Sequence, residues 1–472
     1  MKVLLNSSGF SYDVHSLVKA FYPREDVSVV SDSEDYDISV LVTDGEVVVS
    51  APVSGSGVTG KKRIAVNERP SVKNVLKQIL YEVLSEATKK SLPWGTMTGI
   101  RPVKVPLKMI REGASDYQIA DYMKSVYLCS DEKISLATSV AHREYEVLES
   151  LNPGGFSLYV GIPFCPTTCL YCSFTSYPIA LWAGKAGQYL TAVKREIDFF
   201  SEYYRGGFCD SVYIGGGTPT TLSAEQLSEL IAYIRGSFDF SHIREITVEA
   251  GRPDSITDEK LEALQKSGVT RISINPQTMN DDTLRIIGRS HSTQDVYRAF
   301  ESARLAGFAN INTDLILGLP GEDEGDVQNT FEKICELRPD SITIHSMAIK
   351  RAANMHRYLE EHKELKSINT PGIMSIADKS ARSLGLLPYY LYRQKNMAGN
   401  FENVGYAREG CFGIYNIVIM EEVTDIAAVG AGTISKRVYG DGRIERCDNV
   451  KDVSLYIDKI DEMIERKRKL FT

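Results

Sequence analysis

The chain has 472 residues and no apolar run that approaches the length of a membrane span. Its N-terminus lacks the basic-then-apolar pattern of a secretory signal, so a cytoplasmic location is expected. It also lacks an excess of positive charge. Lys and Arg number 54 against 62 Asp and Glu, a formal net charge of −8, which argues against a nucleic-acid binder. A disulfide framework is missing too. Of eight cysteines, Cys129, Cys209, Cys335, Cys411 and Cys447 are scattered and three are clustered, as expected for a reducing compartment. No catalytic constellation is visible before residue 155.

What is present is an ordinary globular composition, 43% hydrophobic and 25% charged, in a chain long enough for two or three domains. Strands are expected at Met1–Leu5, Val27–Val30, Ile38–Thr43, Glu46–Ser50 and Arg63–Val66, with a hairpin turn at Asp44-Gly45. A helix is expected over Tyr12–Phe21. Another begins at a Ser71 cap and places Val72, Val75, Leu76, Ile79, Leu80, Val83 and Leu84 on one face. The loop Pro93 to Pro102 carries Trp94 and Arg101. It reads either as a helix connection with a buried Trp or as a loop that touches a site or partner. Helices at Pro102–Glu112, Ser115–Val126 and Ser130–Glu149 complete an α+β region, and Asn152-Pro153-Gly154-Gly155 is a suitable boundary.

From Ser157 onward strands and helices alternate. Strands are expected at Ser157–Ile162, Ser211–Ile214, Glu245–Glu249, Arg271–Asn275, Asn310–Leu317 and Ser341–His345, with helices such as Lys185–Tyr204 and Ser223–Arg235 between them. Six such units predict a parallel sheet with helices outside and active residues at the C-terminal strand ends.

The first strand end carries Gly161-Ile162-Pro163-Phe164-Cys165-Pro166-Thr167-Thr168-Cys169-Leu170-Tyr171-Cys172. Pro163 and Pro166 forbid a helix, so the three thiols can curl around one point. A structural zinc site wants four ligands, and no fourth Cys or His follows in this loop. Three soft thiolates fit a [4Fe–4S] cluster with one open iron better; the alternative is three buried or zinc-binding cysteines that meet by chance.

The next strand ends in Gly215-Gly216-Gly217-Thr218-Pro219, where glycines allow close backbone approach. Glu249 ends the third strand. Gln277 follows the fourth, and Arg289 lies beyond it, able to grip a carboxylate with two N–H groups. Asp314 interrupts an otherwise apolar strand and needs a partner if buried. Gly318-Leu319-Pro320-Gly321 follows it.

This series, from Tyr159 through the cysteine loop to Asp314-Leu315-Ile316-Leu317-Gly318-Leu319-Pro320, resembles the radical S-adenosylmethionine (SAM) enzymes and, within them, the oxygen-independent coproporphyrinogen III oxidase (dehydrogenase) family. The likeness runs from about residue 156 to beyond 430. The long N-terminal extension, the Thr98 to Pro102 loop and Tyr389-Tyr390-Leu391-Tyr392-Arg393-Gln394-Lys395-Asn396 resemble the branch common in anaerobic Gram-positive bacteria.

The resemblance implies a partial (β/α)6 barrel at 153–370, an α+β accessory domain at 1–152 and a C-terminal covering region at 371–472. It implies Cys165, Cys169 and Cys172 as cluster ligands. Gly216, Gly217, Thr218, Glu249, Gln277, Arg289 and Asp314 would line SAM, with Tyr159 beside the cluster. One departure is Phe174, where the well-studied form of the family has a further, non-ligating cysteine.

Near the barrel mouth, Arg351 and Arg393 are candidate partners for substrate carboxylates. Val429-Gly430-Ala431-Gly432-Thr433-Ile434-Ser435 resembles the family's segment that closes the mouth, and a charged helix is expected at Val453–Lys469. The implied reaction uses a 5′-deoxyadenosyl radical to decarboxylate coproporphyrinogen III oxidatively to protoporphyrinogen IX, with an electron donor such as flavodoxin or ferredoxin. Two alternatives share the resemblance: a haem-binding chaperone, and a radical methyltransferase that opens haem. Modification of nucleic acid is disfavoured by the net charge.

Overall fold

The computed structural model describes residues 1–471 apart from 24, 44, 54–55, 64–68, 349–352 and 395–400. The chain forms two compact units, Met1–His142 and Arg143–Thr472.

The first unit is built on a five-stranded sheet: β1 (Lys2–Leu5), β2 (Ser28–Val30), β3 (Ile38–Val42), β4 (Glu46–Val53) and β5 (Ser56–Arg63) in the order β2-β1-β3-β4-β5. The first three pair in parallel and the last two antiparallel. Helices Ser11–Phe21 and Arg69–Thr88 cover it. Val14, Leu17, Val18 and Phe21 of one meet Leu76, Ile79, Leu80, Val83 and Leu84 of the other in a shared core. That is the face expected from the spacing.

Two expectations change here. The helix starts at Arg69, before Ser71. The last strand is Ser56–Arg63, whereas residues 64–66 of the expected strand lie outside the described residues, as does Asp44 of the hairpin turn. A polar stretch can form this strand because helix Arg69–Thr88 lies directly on Gly60. A Cβ there would stand 2.6 Å from Val83 Cγ2. Trp94 is buried, as the simpler reading of its loop expects. The loop docks through Gly95, whose added Cβ would lie 2.0 Å from the Tyr127 carbonyl oxygen.

The second unit has an 11-stranded sheet. Its strands are β6 (Phe156–Ile162), β9 (Cys209–Gly216), β10 (Glu245–Glu249), β11 (Arg271–Ser273), β12 (Ile311–Leu317), β13 (Ser341–Ser346), β14 (Leu387–Tyr392), β15 (Asn403–Ala407), β16 (Asp425–Val429), β17 (Ile434–Val438) and β18 (Ile444–Asp448). Two short strands, β7 (Phe164–Cys165) and β8 (Tyr177–Pro178), pair separately.

Within the large sheet, β6-β9-β10-β11-β12-β13 run parallel in chain order with helices between them, the partial (β/α)6 barrel. Several of those helices begin with reciprocal caps: Ser223 with Gln226, Ser292 with Asp295, Asp323 with Asp326. Residues 371–472 extend both margins. Strand β16 adds in parallel beside β6 and carries β17 and β18, while β15 and β14 add antiparallel beside β13. The charged C-terminal helix is two helices, Val453–Asp458 and Ile460–Phe471, broken at Lys459. Among the described residues no helix is long and apolar enough to cross a membrane.

Candidate active site

The cysteine loop leaves β6 at Ile162 and is closed into a ring by β7 and β8, where Phe164 pairs with Tyr177 and Cys165 with Pro178. Inside the ring, the Cys172 amide donates to the Cys169 carbonyl (3.1 Å), a turn that brings those two residues together. The ring is docked on the turn before Arg289: Leu170 N–H donates to the Ile287 carbonyl (3.0 Å), and Thr167 Oγ1–H to the Gly288 carbonyl (3.2 Å).

The glycine turn lies against this ring. Gly217 and Thr218 amides donate to the carbonyls of Ile162 and Phe164, each at 2.7 Å. A Cβ on Gly217 would stand 2.6 Å from the Phe164 carbonyl oxygen and 3.0 Å from Cys165 Sγ, so only glycine admits this approach. Strand β9 continues to Gly216, past the expected end at Ile214, because Gly215 and Gly216 still pair with Gly161 and Ile162. Burial pushes the Cys165 thiol up to about 11. The Thr218 hydroxyl, 3.5 Å away, lowers it, and the neighbouring Cys172 and Cys169 sulfurs raise it again. None of the three cysteines is in a disulfide, and a soft cluster binds them as thiolates.

Across from the cysteines, the strands present half-buried polar side chains: Tyr159 on β6, Tyr213 on β9, Glu249 on β10, Asp314 on β12, His345 on β13 and Tyr392 on β14. They form two linked groups. Tyr213 Oη–H donates to Glu249 (2.5 Å), and its ring stacks on Tyr159 and Tyr415 at centroid distances of 6.0 and 4.7 Å, with those two rings 5.8 Å from each other. Asp314 accepts from Asn312 Nδ2 (2.8 Å) and lies 3.8 Å from His345 Nε2, whose Nδ1 is 3.3 Å from Tyr392 Oη.

The two carboxyls have diverged. Burial lifts Glu249 to about 7; Tyr213 pulls it down and Asp314 pushes it up. Burial also lifts Asp314, but His345, Asn312 and Thr343 together outweigh it and hold Asp314 below its ordinary value.

Gln277 and Arg289 approach the same region from the fourth unit. Gln277 has a φ of 73° and bridges to β12, its amide donating to the Asp314 carbonyl (3.1 Å) and its carbonyl accepting from Ile316 (2.9 Å). Arg289 donates to the Gly251 and Asn275 carbonyls (3.1 and 3.2 Å) and to Tyr171 Oη (2.8 Å). Gln277 Oε1 and Arg289 Nε are buried with no partner among the described residues. A buried orphan acceptor and a buried orphan donor are costly unless a ligand completes them, and SAM offers both hydroxyl donors and a carboxylate. The sulfurs of Cys172 and Cys169 are near enough to Cys165 to perturb it, although among the described residues no three such side chains converge on a single ion; their soft donor set fits a multi-iron cluster beside SAM.

The structure places Cys165, Cys169, Cys172, Gly216, Gly217, Thr218, Glu249, Gln277 and Arg289 at or beyond the C-terminal strand ends, whereas Tyr159 and Asp314 lie midway along β6 and β12. Arg393 is buried immediately after β14, next in the chain to Tyr392. Arg351 lies outside the described residues. Sequence reasoning passed over Tyr213, His345 and Arg252. His345 falls on the polar alternation of Ser341-Ile342-Thr343-Ile344-His345, so the period of that strand could have placed it on the same face as Thr343. Tyr213 follows from the alternation of β9.

Residues 159–334 match the Radical SAM superfamily profile. The chain is 38% identical over 450 residues to "Oxygen-independent coproporphyrinogen-III oxidase-like protein HemZ" of Bacillus subtilis (strain 168), covering 92% of this chain and 90% of that protein. It is 38% identical over 197 residues to "Heme chaperone HemW" of the same organism, covering 41% of this chain and 51% of that one. Against "Oxygen-independent coproporphyrinogen III oxidase" of Salmonella typhimurium it is 28% identical over 311 residues, 65% of each chain. The solved coproporphyrinogen III oxidase (HemN) from Escherichia coli superimposes with a TM-score of 0.53 at 24% identity, covering 69% of this chain and 73% of that one, which establishes the shared fold.

Proposed function

The chain belongs to the radical SAM superfamily, in the family of oxygen-independent coproporphyrinogen III oxidase-like proteins, and from that membership we propose that it decarboxylates coproporphyrinogen III oxidatively to protoporphyrinogen IX. The cofactors of this superfamily are a [4Fe–4S] cluster and SAM. When bound, they supply a carbon radical able to take a hydrogen atom from an unactivated carbon.

In this reading Cys165, Cys169 and Cys172 hold the cluster. Gly216, Gly217 and Thr218 shape the backbone beside it. Glu249, Gln277, Arg289 and Asp314 orient SAM, and Tyr159 packs beside both. Arg351 and Arg393 pair with substrate propionates that do not react, holding the macrocycle in a fixed plane. Residues 1–152 serve as an accessory domain to the barrel at 153–370, and 371–472 complete the enclosure of the substrate. The electron donor is a small redox protein of the flavodoxin or ferredoxin kind.

The observation that carries this reading is the layer of half-buried Tyr159, Tyr213, Glu249, Asp314, His345 and Tyr392 next to the cysteine ring. Its partly exposed polar groups are those a substrate held beside the cofactor would meet. The test is anaerobic incubation with coproporphyrinogen III, SAM and a chemical reductant, followed by mass spectrometry. Stepwise loss of CO2 with release of 5′-deoxyadenosine is expected. The Arg351→Ala/Arg393→Ala double variant should lose decarboxylation roughly 100-fold while still cleaving SAM. Stoichiometric haem binding and transfer with no SAM cleavage would overturn the proposal and support a chaperone instead.

A further inference from the structure

Arg252 follows Glu249 by three residues and is 3% exposed. Its guanidinium plane is fixed from one side by Asp254, with Nε donating to Oδ1 (2.9 Å) and Nη2 to Oδ2 (2.8 Å). The remaining nitrogen, Nη1, faces the cysteine ring. It donates to Thr167 Oγ1 (3.1 Å), to the Thr167 carbonyl (3.4 Å) and to Cys169 Sγ (3.6 Å), and Cys169 is itself 9% exposed. Asp254 remains below its ordinary value: burial pushes it up, and Arg252 more than offsets that. His291, close to both, is driven down to about 4 by burial and by Arg289, so it stays neutral around them.

Potentials of iron–sulfur clusters are set largely by net charge and by hydrogen bonds to the sulfurs. A donor to a ligating sulfur withdraws electron density and favours the reduced, more negative cluster. A carboxylate behind that donor works the other way.

We propose that Arg252 is a positioning residue that tunes the cluster: its Nη1–H on the Cys169 sulfur raises the reduction potential, and Asp254 moderates the effect while fixing the guanidinium plane. This rests on the reading of Cys169 as a cluster ligand.

The experiment is a redox titration of the anaerobically reconstituted full chain, followed by electron paramagnetic resonance, with iron and sulfide content measured on each sample. Arg252→Met is expected to retain its iron and to become harder to reduce by at least tenfold in the equilibrium, about 59 mV for one electron. Asp254→Asn unmasks the cation and is expected to shift the midpoint the opposite way. A residue that merely braced the loop would change cluster loading without giving shifts of opposite sign.

Midpoints equal to the parent's in both variants, with full iron content, would overturn the proposal. Should Arg252→Met fail to load, Asp254→Asn decides: a raised midpoint supports it and an unmoved one overturns it. A Cys169→Ala chain that keeps a full cluster would overturn the ligand assignment and this proposal together. Loss of the cluster there, with unmoved midpoints in the other variants, overturns this proposal alone.

Discussion

Glu249 keeps its proton to about pH 7 because burial disfavours its charge and Asp314 repels it, while the unfolded chain loses that proton near the ordinary carboxylate value. Below that ordinary value both states are protonated. From there to about 7 only the folded chain holds the proton, so stability falls as pH rises, by up to roughly 1.4 kcal/mol per pH unit. Glu322 is lifted to about 7 by its own burial, although Thr278 donates to it, so it adds to the same slope. The Tm of the cofactor-free chain should therefore decline between about pH 5 and 7. Glu249→Gln should flatten that decline in part, and adding Glu322→Gln should flatten it further. An identical slope in parent and double variant would show that neither group titrates in that window.

At this scale the legible residues were those that break a local pattern. Asp314 stands out as the one acidic residue in its strand, and the cysteines stand out by spacing. Arg252 does not, because its partner Cys169 is 83 positions away and nothing local marks the pairing.

Among elements, the Gly430 turn at the end of β16 has little tolerance. Its φ is +106°, and a Cβ would lie 2.5 Å from the Gly161 carbonyl oxygen and 2.6 Å from Tyr189 Oη. Gly430→Ala should cost about 1–3 kcal/mol from backbone strain, with more from the clash, and lower Tm accordingly. Gly236→Ala, in helix Ala224–Ser237 with open space around its Cβ, should instead stabilise by roughly 0.4–1 kcal/mol. Equal Tm shifts in both would refute the argument.

The six parallel strands could be read from the sequence because each carries a short stretch with Val, Ile or Leu and recurs in alternation with an amphipathic helix. Strand β5 could not, since its glycines and lysines gain their place only from the helix packed over them. Nor could the placement of β14 to β18, because joining two opposite margins of one sheet depends on pairings between distant segments. The break at Lys459 was hidden by charges that continue a helical pattern through it.

Over the whole second unit, the C-terminal helix is fastened by a buried charge cluster. Lys467 and Glu196 are both fully buried and in contact, and Lys467 Nζ also donates to Asn449 Oδ1 (2.5 Å). Glu196 further accepts from the Gly430 amide (2.8 Å), Asn449 Nδ2 (2.9 Å) and Tyr456 Oη–H (2.5 Å). One carboxylate thus joins helix Ala186–Tyr203, the end of β16 and the last helix. Lys467→Met should destabilise by about 3–5 kcal/mol, because it leaves Glu196 charged and uncompensated in the interior. Adding Glu196→Gln should restore part of the loss. Calorimetric or denaturant midpoints measure both, and a Lys467→Met chain as stable as the parent would rule out a stabilising role for the pair.

An open sheet of eleven strands has a further consequence at its two rims. A rim strand left uncovered would offer amides and carbonyls on which another copy could grow, the first step toward fibrous aggregation. On one rim, β18 reads Ile444-Glu445-Arg446-Cys447-Asp448, with Glu445 and Arg446 bearing charge that resists stacking of like strands. On the other, β14 is buried over Pro388–Leu391, the Pro388 carbonyl accepts from Arg143 Nη1 (3.3 Å), and a bulge between Pro388 and Tyr390 spoils a flat template. The margins that enlarge the barrel thereby also carry features that oppose strand-by-strand growth.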